Sequence, residues 1–378
     1  MRDVVIAGYV RSPFTPANKG TMAPFRPDDI AAQTVLALLK KTGVDGKYIE
    51  DLILGCAFPE GEQGLNLARL IVLLAGLPQS VAGQTINRFC GSSMQSIHSA
   101  AGAIQLNAGD AFICAGVESM SRVPMTGFNP LPNPDLAQRL PGAYMGMGTT
   151  AENVARAYKI SRKEQEIFAA NSHKKAAAAQ GKGNLREEIQ PITLEGVTVA
   201  EDGCIRPETT PEKLAELKPA FDEKGTVTAG ASSPLTDGAA ATLVCSADFA
   251  RAHGLKPIAK IRAVAVAGCA PEIMGIGPVA ATRKALSRAN LTVADLDIIE
   301  LNEAFASQSL ACIRELSLDE AKINIDGGAI ALGHPLGATG ARITGKAAAL
   351  LQREGKKFAL STQCIGGGQG IATILEAL

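Results

Sequence analysis

No two cysteines in this chain are spaced as CxxC, and only four histidines are present. Structural zinc sites need nitrogen and sulfur ligands at close spacing, so the composition argues against a bound metal. Eight cysteines are scattered at positions 56, 90, 114, 204, 245, 269, 312 and 364, and they read as reduced thiols of a cytoplasmic protein. An excess of one charge is also missing. The 37 basic residues cancel 37 acidic ones, so no global field draws in nucleic acid or an acidic membrane surface, and an anionic ligand must be held by local groups. No apolar run reaches the roughly 18 residues of a membrane span. The opening MRDVVIAGYVRSPF reads as a first strand rather than a signal peptide.

What is present is a long chain with ample apolar content. Its 378 residues, 46% hydrophobic and 20% charged, suffice for two or three domains with well-buried cores. Short apolar runs such as VVIAGY (4–9), LILGCAF (52–58), AFICAGV (111–117), ATLVCS (241–246), LDIIEL (296–301) and KFALSTQC (357–364) read as buried strands. Alanine-rich helical patterns lie between them, including 30–41 and the apolar face Met94, Ile97, Ala101 and Ile104. This alternation predicts α/β layers with mainly parallel sheets. From Ser119 to about Ser233 the chain is richer in charge, proline and loop signals. Helices there are expected to start at capping boxes, Thr149 to Glu152 and Ser161 to Glu164.

The flanking halves repeat each other in order. A strand near Asp51, a helix, a turn at Cys90, a helix and the strand AFICAGV are matched by a strand near Asp297, a helix, a turn at His334, a helix and KFALSTQC. If the halves pack about a pseudo-twofold axis, the two turns point into one cleft. Cys90 precedes Gly91-Ser92-Ser93, which can open a helix whose free amides and partial positive charge would favour the thiolate. His334 sits among glycines in GGAIALGHPLGATG, a turn rather than a helix face. A second cysteine heads CIGGGQG, Cys364 to Gly370, where glycines let backbone amides approach a ligand as an oxyanion hole requires. Asn302 of NEAFA ends a strand, where α/β proteins place ligand-contacting groups.

Taken together, VVIAGYVRSPF, NRFCGSSMQS, AGVESMS, MGTTAENVA, KPAFDEKGTVTAG, LTDGAAA, MGIGPV, NEAFA, GGAIALGHPLGATGAR and CIGGGQG resemble, in their joint order over nearly the whole chain, the thiolase family, specifically 3-ketoacyl-CoA and acetyl-CoA thiolases. The resemblance implies two similar βαβαβαββ-type halves in a five-layered αβαβα core, with an inserted loop domain over a coenzyme A site. The boundaries expected are 1–119 plus about 234–256 for the first half, 120–233 for the loop domain and 257–378 for the second half. It further implies Cys90 as acyl-accepting nucleophile, His334 as its base and Cys364 as acid/base at the substrate α-carbon. Asn302 would hold a water in one oxyanion hole, and the amides of Cys90 and Gly366 would form the other. Ser233, Lys218 and Met147 would contact coenzyme A, a cosubstrate rather than a prosthetic group. Expected partners are 3-ketoacyl-CoA, CoA, further copies of the chain in a homodimer or homotetramer, and a hydratase/dehydrogenase subunit.

Three departures matter. Gly146 stands where acetoacetyl-CoA-specific members commonly carry histidine, which leaves room for longer acyl tails and points to the degradative class. Asp326 replaces the frequent asparagine before GGAI and, if buried, needs hydrogen-bond partners. Ala231 replaces a polar residue in the coenzyme-proximal loop. Competing readings are weaker. GARITGKA, from Gly340, lacks the hydroxyl that a phosphate-binding GxxxxGK[ST] loop requires. A ketosynthase would pair its cysteine with two histidines, and no peptidase motif surrounds Cys90. The alternatives kept are an acetoacetyl-CoA thiolase working in the condensation direction, and a non-catalytic acyl-CoA or lipid carrier on the same fold.

Overall fold

The computed structural model describes residues 2–378. In chain order the strands are β1 (Val4–Arg11), β2 (Thr15–Pro16), β3 (Asp51–Gly55), β4 (Ala82–Ile86), β5 (Ala111–Ser119), β6 (Ile192–Leu194), β7 (Val197–Val199), β8 (Thr236–Ser246), β9 (Ala259–Gly268), β10 (Ile298–Leu301), β11 (Phe358–Ile365) and β12 (Gln369–Glu376). The helices are α1 (Pro27–Thr42), α2 (Leu67–Leu74), α3 (Ser92–Gln105), α4 (Pro134–Arg139), α5 (Met147–Ala157), α6 (Arg162–Gly181), α7 (Pro211–Ala215), α8 (Ala247–Ala252), α9 (Gly277–Ala289), α10 (Ala306–Leu316), α11 (Ala329–Leu332) and α12 (Leu336–Arg353). Local chemistry sets their ends. Helix α1 starts on a proline with Asp28 and Asp29 in its first turn, ends with Lys40 and Lys41, and stops at Gly43 in the left-handed conformation.

Ten strands make one sheet, in the order β10-β11-β12-β9-β1-β8-β5-β3-β4, with β2 alongside β8. Outward from the seam, β1-β8-β5-β3-β4 in one half is answered by β9-β12-β11-β10 in the other. A parallel bridge from Ile323 to Ile299 stands where the fifth strand of the second half would pair. The seam itself is slight, since β1 and β9 pair only at Val5–Lys260 and Ile6–Ala259. The expectation of a mainly parallel sheet is corrected. Only β3–β4, β3–β5 and β10–β11 run parallel, because only these strands are joined through helical crossovers; β12 returns by a hairpin and β8 after the long insertion, so both pair antiparallel with their neighbours.

Five layers result. Ile30 and Leu38 of α1 with Leu67 and Ile71 of α2 cover the first half-sheet through Leu52, Leu54, Val117 and Leu243. Val279 and Leu286 of α9 with Ile313 and Leu316 of α10 cover the second through Ile299, Leu360 and Ile374. Between the half-sheets lie α3 and α12, where Met94 meets Ile343 over Ile365 and Ile371. Only glycine allows that crossing, because a Cβ at Gly340 would stand 2.2 Å from the backbone nitrogen of Met94.

The chain between β5 and β8 carries α4 to α7 and the β6–β7 hairpin. Ser161 and Glu164 form the expected capping box at α6. The box expected at Thr149 does not form. Helix α5 begins earlier, at Met147, and the buried Glu152 instead accepts from the amides of Thr226 and Val227 at 2.8–3.0 Å, tying helix to loop.

Candidate active site

Cys90 lies in the turn between β4 and α3, and that turn is held tightly. Phe89, just before it, has φ of 43°, a left-handed conformation costing a bulky residue about 1–2 kcal/mol. Ser92 balances the strain, since its hydroxyl donates to the Phe89 carbonyl at 2.6 Å and accepts from the Arg88 amide at 2.9 Å. The Asn87 side chain accepts from the Phe89 amide at 2.7 Å. Cys90 is thereby fixed at the head of one central helix.

His334 occupies the matching place before the other central helix, α12. Its backbone amide donates to Thr236 Oγ1 at 3.0 Å. Nδ1 stands 2.6 Å from Thr339 Oγ1, and Nε2 lies 3.4 Å from Nδ2 of Asn302, which follows β10. Asn302 is fully buried, and its Oδ1 has no partner. A buried carbonyl oxygen without a donor is an unmet acceptor close to the imidazole.

Cys364 lies one residue before the end of β11, opposite Gly370 of β12, and the connecting hairpin turns through Gly367 and Gly368 at φ of 78° and 84°. The Gln363 side-chain amide donates to the Cys90 carbonyl, so this hairpin is latched to the Cys90 turn. The backbone amides of Gly366 and of Cys90 itself favour the Cys90 thiolate.

Cys90, His334 and Cys364 line one cavity of about 460 Å³. Its other walls are mainly apolar and include Met120, Met125, Met147, Met274 and Phe305, the last packed edge-on against Phe221 at 5.9 Å. Gly146 and Ser233 also line it, and Ser233 is anchored to the Ala304 carbonyl through amide and hydroxyl at 3.0 and 3.1 Å. Lys218 is exposed and does not reach the cavity wall.

The electrostatics correct one expectation. The helix start does not yield a resting thiolate. Burial pushes the Cys90 thiol up to about 11, outweighing the two amides that lower it. Burial and then the nearby Arg342 charge hold His334 down to about 3. Burial, then the neighbouring Cys90, raises Cys364 well above the usual thiol range. At rest the site therefore holds two neutral thiols and a neutral imidazole. Its charges must be created by substrate in a cavity whose low dielectric strengthens each donor. Among the described residues, no group of three or more His, Cys, Asp or Glu side chains gathers as a metal site.

Residues that spacing alone did not single out support this arrangement. Glu118, buried at the end of β5, accepts from the amides of Ala57 at 2.8 Å, Phe58 at 3.2 Å and Gly337 at 2.9 Å, and from Gln63 at 2.8 Å. The Asn87 amide in turn holds the Ala57 carbonyl at 2.9 Å. One carboxylate thus joins the Cys90 turn to the start of α12. Glu118 was visible within AGVESMS, and Thr339 within GHPLGATG, but neither motif says what the side chain touches. Asp326 is buried and finds its partners in Lys346 at 2.6 Å, Arg353 at 2.6 and 3.0 Å, and Asn184 at 3.3 Å. Ala231 packs in an apolar cluster with Leu214, Ala306 and Ile330.

Comparison with known proteins adds an independent line. Residues 4–248 match the family profile described as thiolase, N-terminal domain, and residues 255–377 that described as thiolase, C-terminal domain. The 3-ketoacyl-CoA thiolase of Bacillus subtilis (strain 168) is 47% identical, with 100% of each chain covered. The solved acetyl-CoA acetyltransferase of Bacillus anthracis has a TM-score of 0.93 and 39% identity, covering 100% of this chain and 99% of that one. Human mitochondrial 3-ketoacyl-CoA thiolase in complex with CoA has a TM-score of 0.92 and 39% identity, covering 100% and 98%.

Proposed function

The chain belongs to the thiolase family of acyltransferases, and from that premise we propose that it cleaves 3-ketoacyl-CoA with free CoA, as in fatty acid β-oxidation. The observation that carries this reading is the meeting of Cys90, His334 and Cys364, drawn from both halves, in one apolar cavity. His334 Nε2 takes the Cys90 proton as sulfur adds to the 3-keto carbon. The bond between the α-carbon and that carbonyl then breaks, and the enolate of acetyl-CoA leaves. Cys364 protonates the α-carbon, so acetyl-CoA departs and a shortened acyl group stays on Cys90 as a thioester. In the second half, Cys364 takes the proton of incoming CoA, whose sulfur attacks the thioester, and the departing Cys90 thiolate recovers its proton from His334. This is ping-pong covalent catalysis.

Negative charge develops on an oxygen in both halves. One oxygen is met by the amides of Cys90 and Gly366, the other by a water held at Asn302 Oδ1 beside His334. Each such donor is worth roughly 2.7–4 kcal/mol in the transition state. Ser233 and Met147 fit the pantetheine arm, and Lys218 serves the nucleotide from outside the cavity. We place the reaction in the cytoplasm, in a homodimer or homotetramer that can associate with a hydratase/dehydrogenase subunit.

The likeness to an acetyl-CoA acetyltransferase favours a second reading, condensation or cleavage confined to acetoacetyl-CoA. Thiolysis of 3-ketoacyl-CoAs from four to sixteen carbons, with Cys90→Ala as control, separates the two. Activity reaching long chains and lost in Cys90→Ala is expected. Activity on the four-carbon substrate alone would assign the second reading. Tight CoA binding with no turnover at any length would assign a carrier.

A further inference from the structure

His334 has two nitrogens in different surroundings, and a single hydroxyl governs one of them. Nε2 is on the side of Asn302, 3.4 Å from its Nδ2, whereas Nδ1 is turned into the first turn of α12 and stands 2.6 Å from Thr339 Oγ1. Thr339 is fully buried, so no solvent competes for that contact. A threonine hydroxyl has one proton and two lone pairs. Thr339 Oγ1 also lies 3.1 Å from the Pro335 carbonyl, a group that can only accept, so the hydroxyl proton is directed there. Oγ1 then offers its lone pair to Nδ1, which must carry the ring proton. On the opposite side, the Asn302 Nδ2 hydrogens face Nε2, and two donors meeting at 3.4 Å would repel if Nε2 were protonated.

We infer that Thr339 is a positioning residue that keeps His334 in the Nδ1–H form, so that Nε2 presents its lone pair to Cys90. This rests on the proposed role of His334 as base. It differs from the arrangement in which a carboxylate orients the histidine, because a neutral hydroxyl fixes the tautomer without stabilising the protonated ring strongly. The low basicity of the buried imidazole agrees with such a partner. The contact also freezes the ring in the plane set by the helix, since Pro335 and Thr339 are one turn apart.

Two measurements test the inference. In the full-length enzyme labelled with 15N-histidine, the His334 signals, assigned by their loss in His334→Asn, are expected to show a protonated Nδ1 and an unprotonated Nε2. Thr339→Val keeps the shape and removes the hydroxyl. It should lower kcat at least about tenfold, within the roughly 10⁴-fold loss that a wrong tautomer causes in a catalytic triad, while KM for CoA stays within about twofold. Thr339→Ser should restore most of the rate. A protonated Nε2 in the wild type overturns the inference, and so does Thr339→Val with kcat unchanged. Equal loss in the Val and Ser variants, with matching falls in melting temperature, also overturns it and leaves packing as the cause. Acyl transfer surviving in Cys90→Ala would instead sink the proposed mechanism, and the nitrogen spectrum of the wild type would still report the tautomer.

Discussion

Alkylation of Cys90 by iodoacetamide tests whether the nucleophile rests as a thiol or as half of an ion pair with His334. Only the thiolate attacks. With its pKa raised to about 11, chiefly by burial, Cys90 is thiolate in about one molecule in 10⁴ at pH 7, against about one in 10² for an unperturbed thiol. The group gains its charge as pH rises, so the labelling rate should climb about tenfold per pH unit from pH 6 to 10 and level off only near 11. A thiolate–imidazolium pair would behave otherwise, with a plateau from weakly acidic to weakly alkaline pH. Mass spectrometry of the Cys90 peptide gives the rate directly and separates it from Cys269, the other half-buried thiol. Steric shielding scales every point equally, so the slope is the diagnostic quantity. A flat profile between pH 5 and 8 would refute the neutral resting state. His334→Ala should leave the slope unchanged, because the imidazole acts only once substrate supplies an acceptor for charge.

Two further outcomes are expected. Asp326, which burial alone would raise, is held down to about 2 from 3.8 by Arg353 and Lys346, a stabilisation of about 2.5 kcal/mol. That stability is present above pH 3.8 and lost as pH falls toward 2. Asp326→Asn should therefore lower unfolding free energy at pH 7 by about 2–3 kcal/mol, below the 3–5 of a fully orphaned buried charge, because Lys346 keeps Glu188 at 3.1 Å; a urea-melt change under about 0.5 kcal/mol would contradict this. At Gly146, φ is −62° and an added Cβ meets nothing nearer than Thr149 Oγ1 at 4.0 Å. Gly146→His should then cut thiolysis of ten-carbon and longer substrates at least about tenfold while sparing the four-carbon one within about twofold. Equal loss at every length would show that the wall there does not set chain length.

Much of this was legible from residue patterns, and the failures have physical causes. Buried strands declared themselves as apolar runs, and the repeat placed Cys90 and His334 at equivalent turns. Strand direction did not show, because an apolar run such as ATLVCS reads the same whichever way it enters the sheet. Thr149 and Glu152 had the right spacing for a capping box, but the helix starts at Met147 and Glu152 serves a loop more than seventy positions away. Cys90 looked like a low-pKa thiol because a helix start is local and readable, whereas the burial that outweighs it is collective. The same holds for Asp326, whose cationic partners lie 20 and 27 positions further along.

The slight seam between the half-sheets has a consequence for how activity arises during folding. With two residue pairs joining β1 to β9, the halves are united mainly through α3 and α12, and those helices carry Cys90 and His334 at their heads. A half that has folded alone possesses a nucleophile without a base, or a base without a nucleophile. Acyl transfer therefore requires both helix heads to be docked against each other.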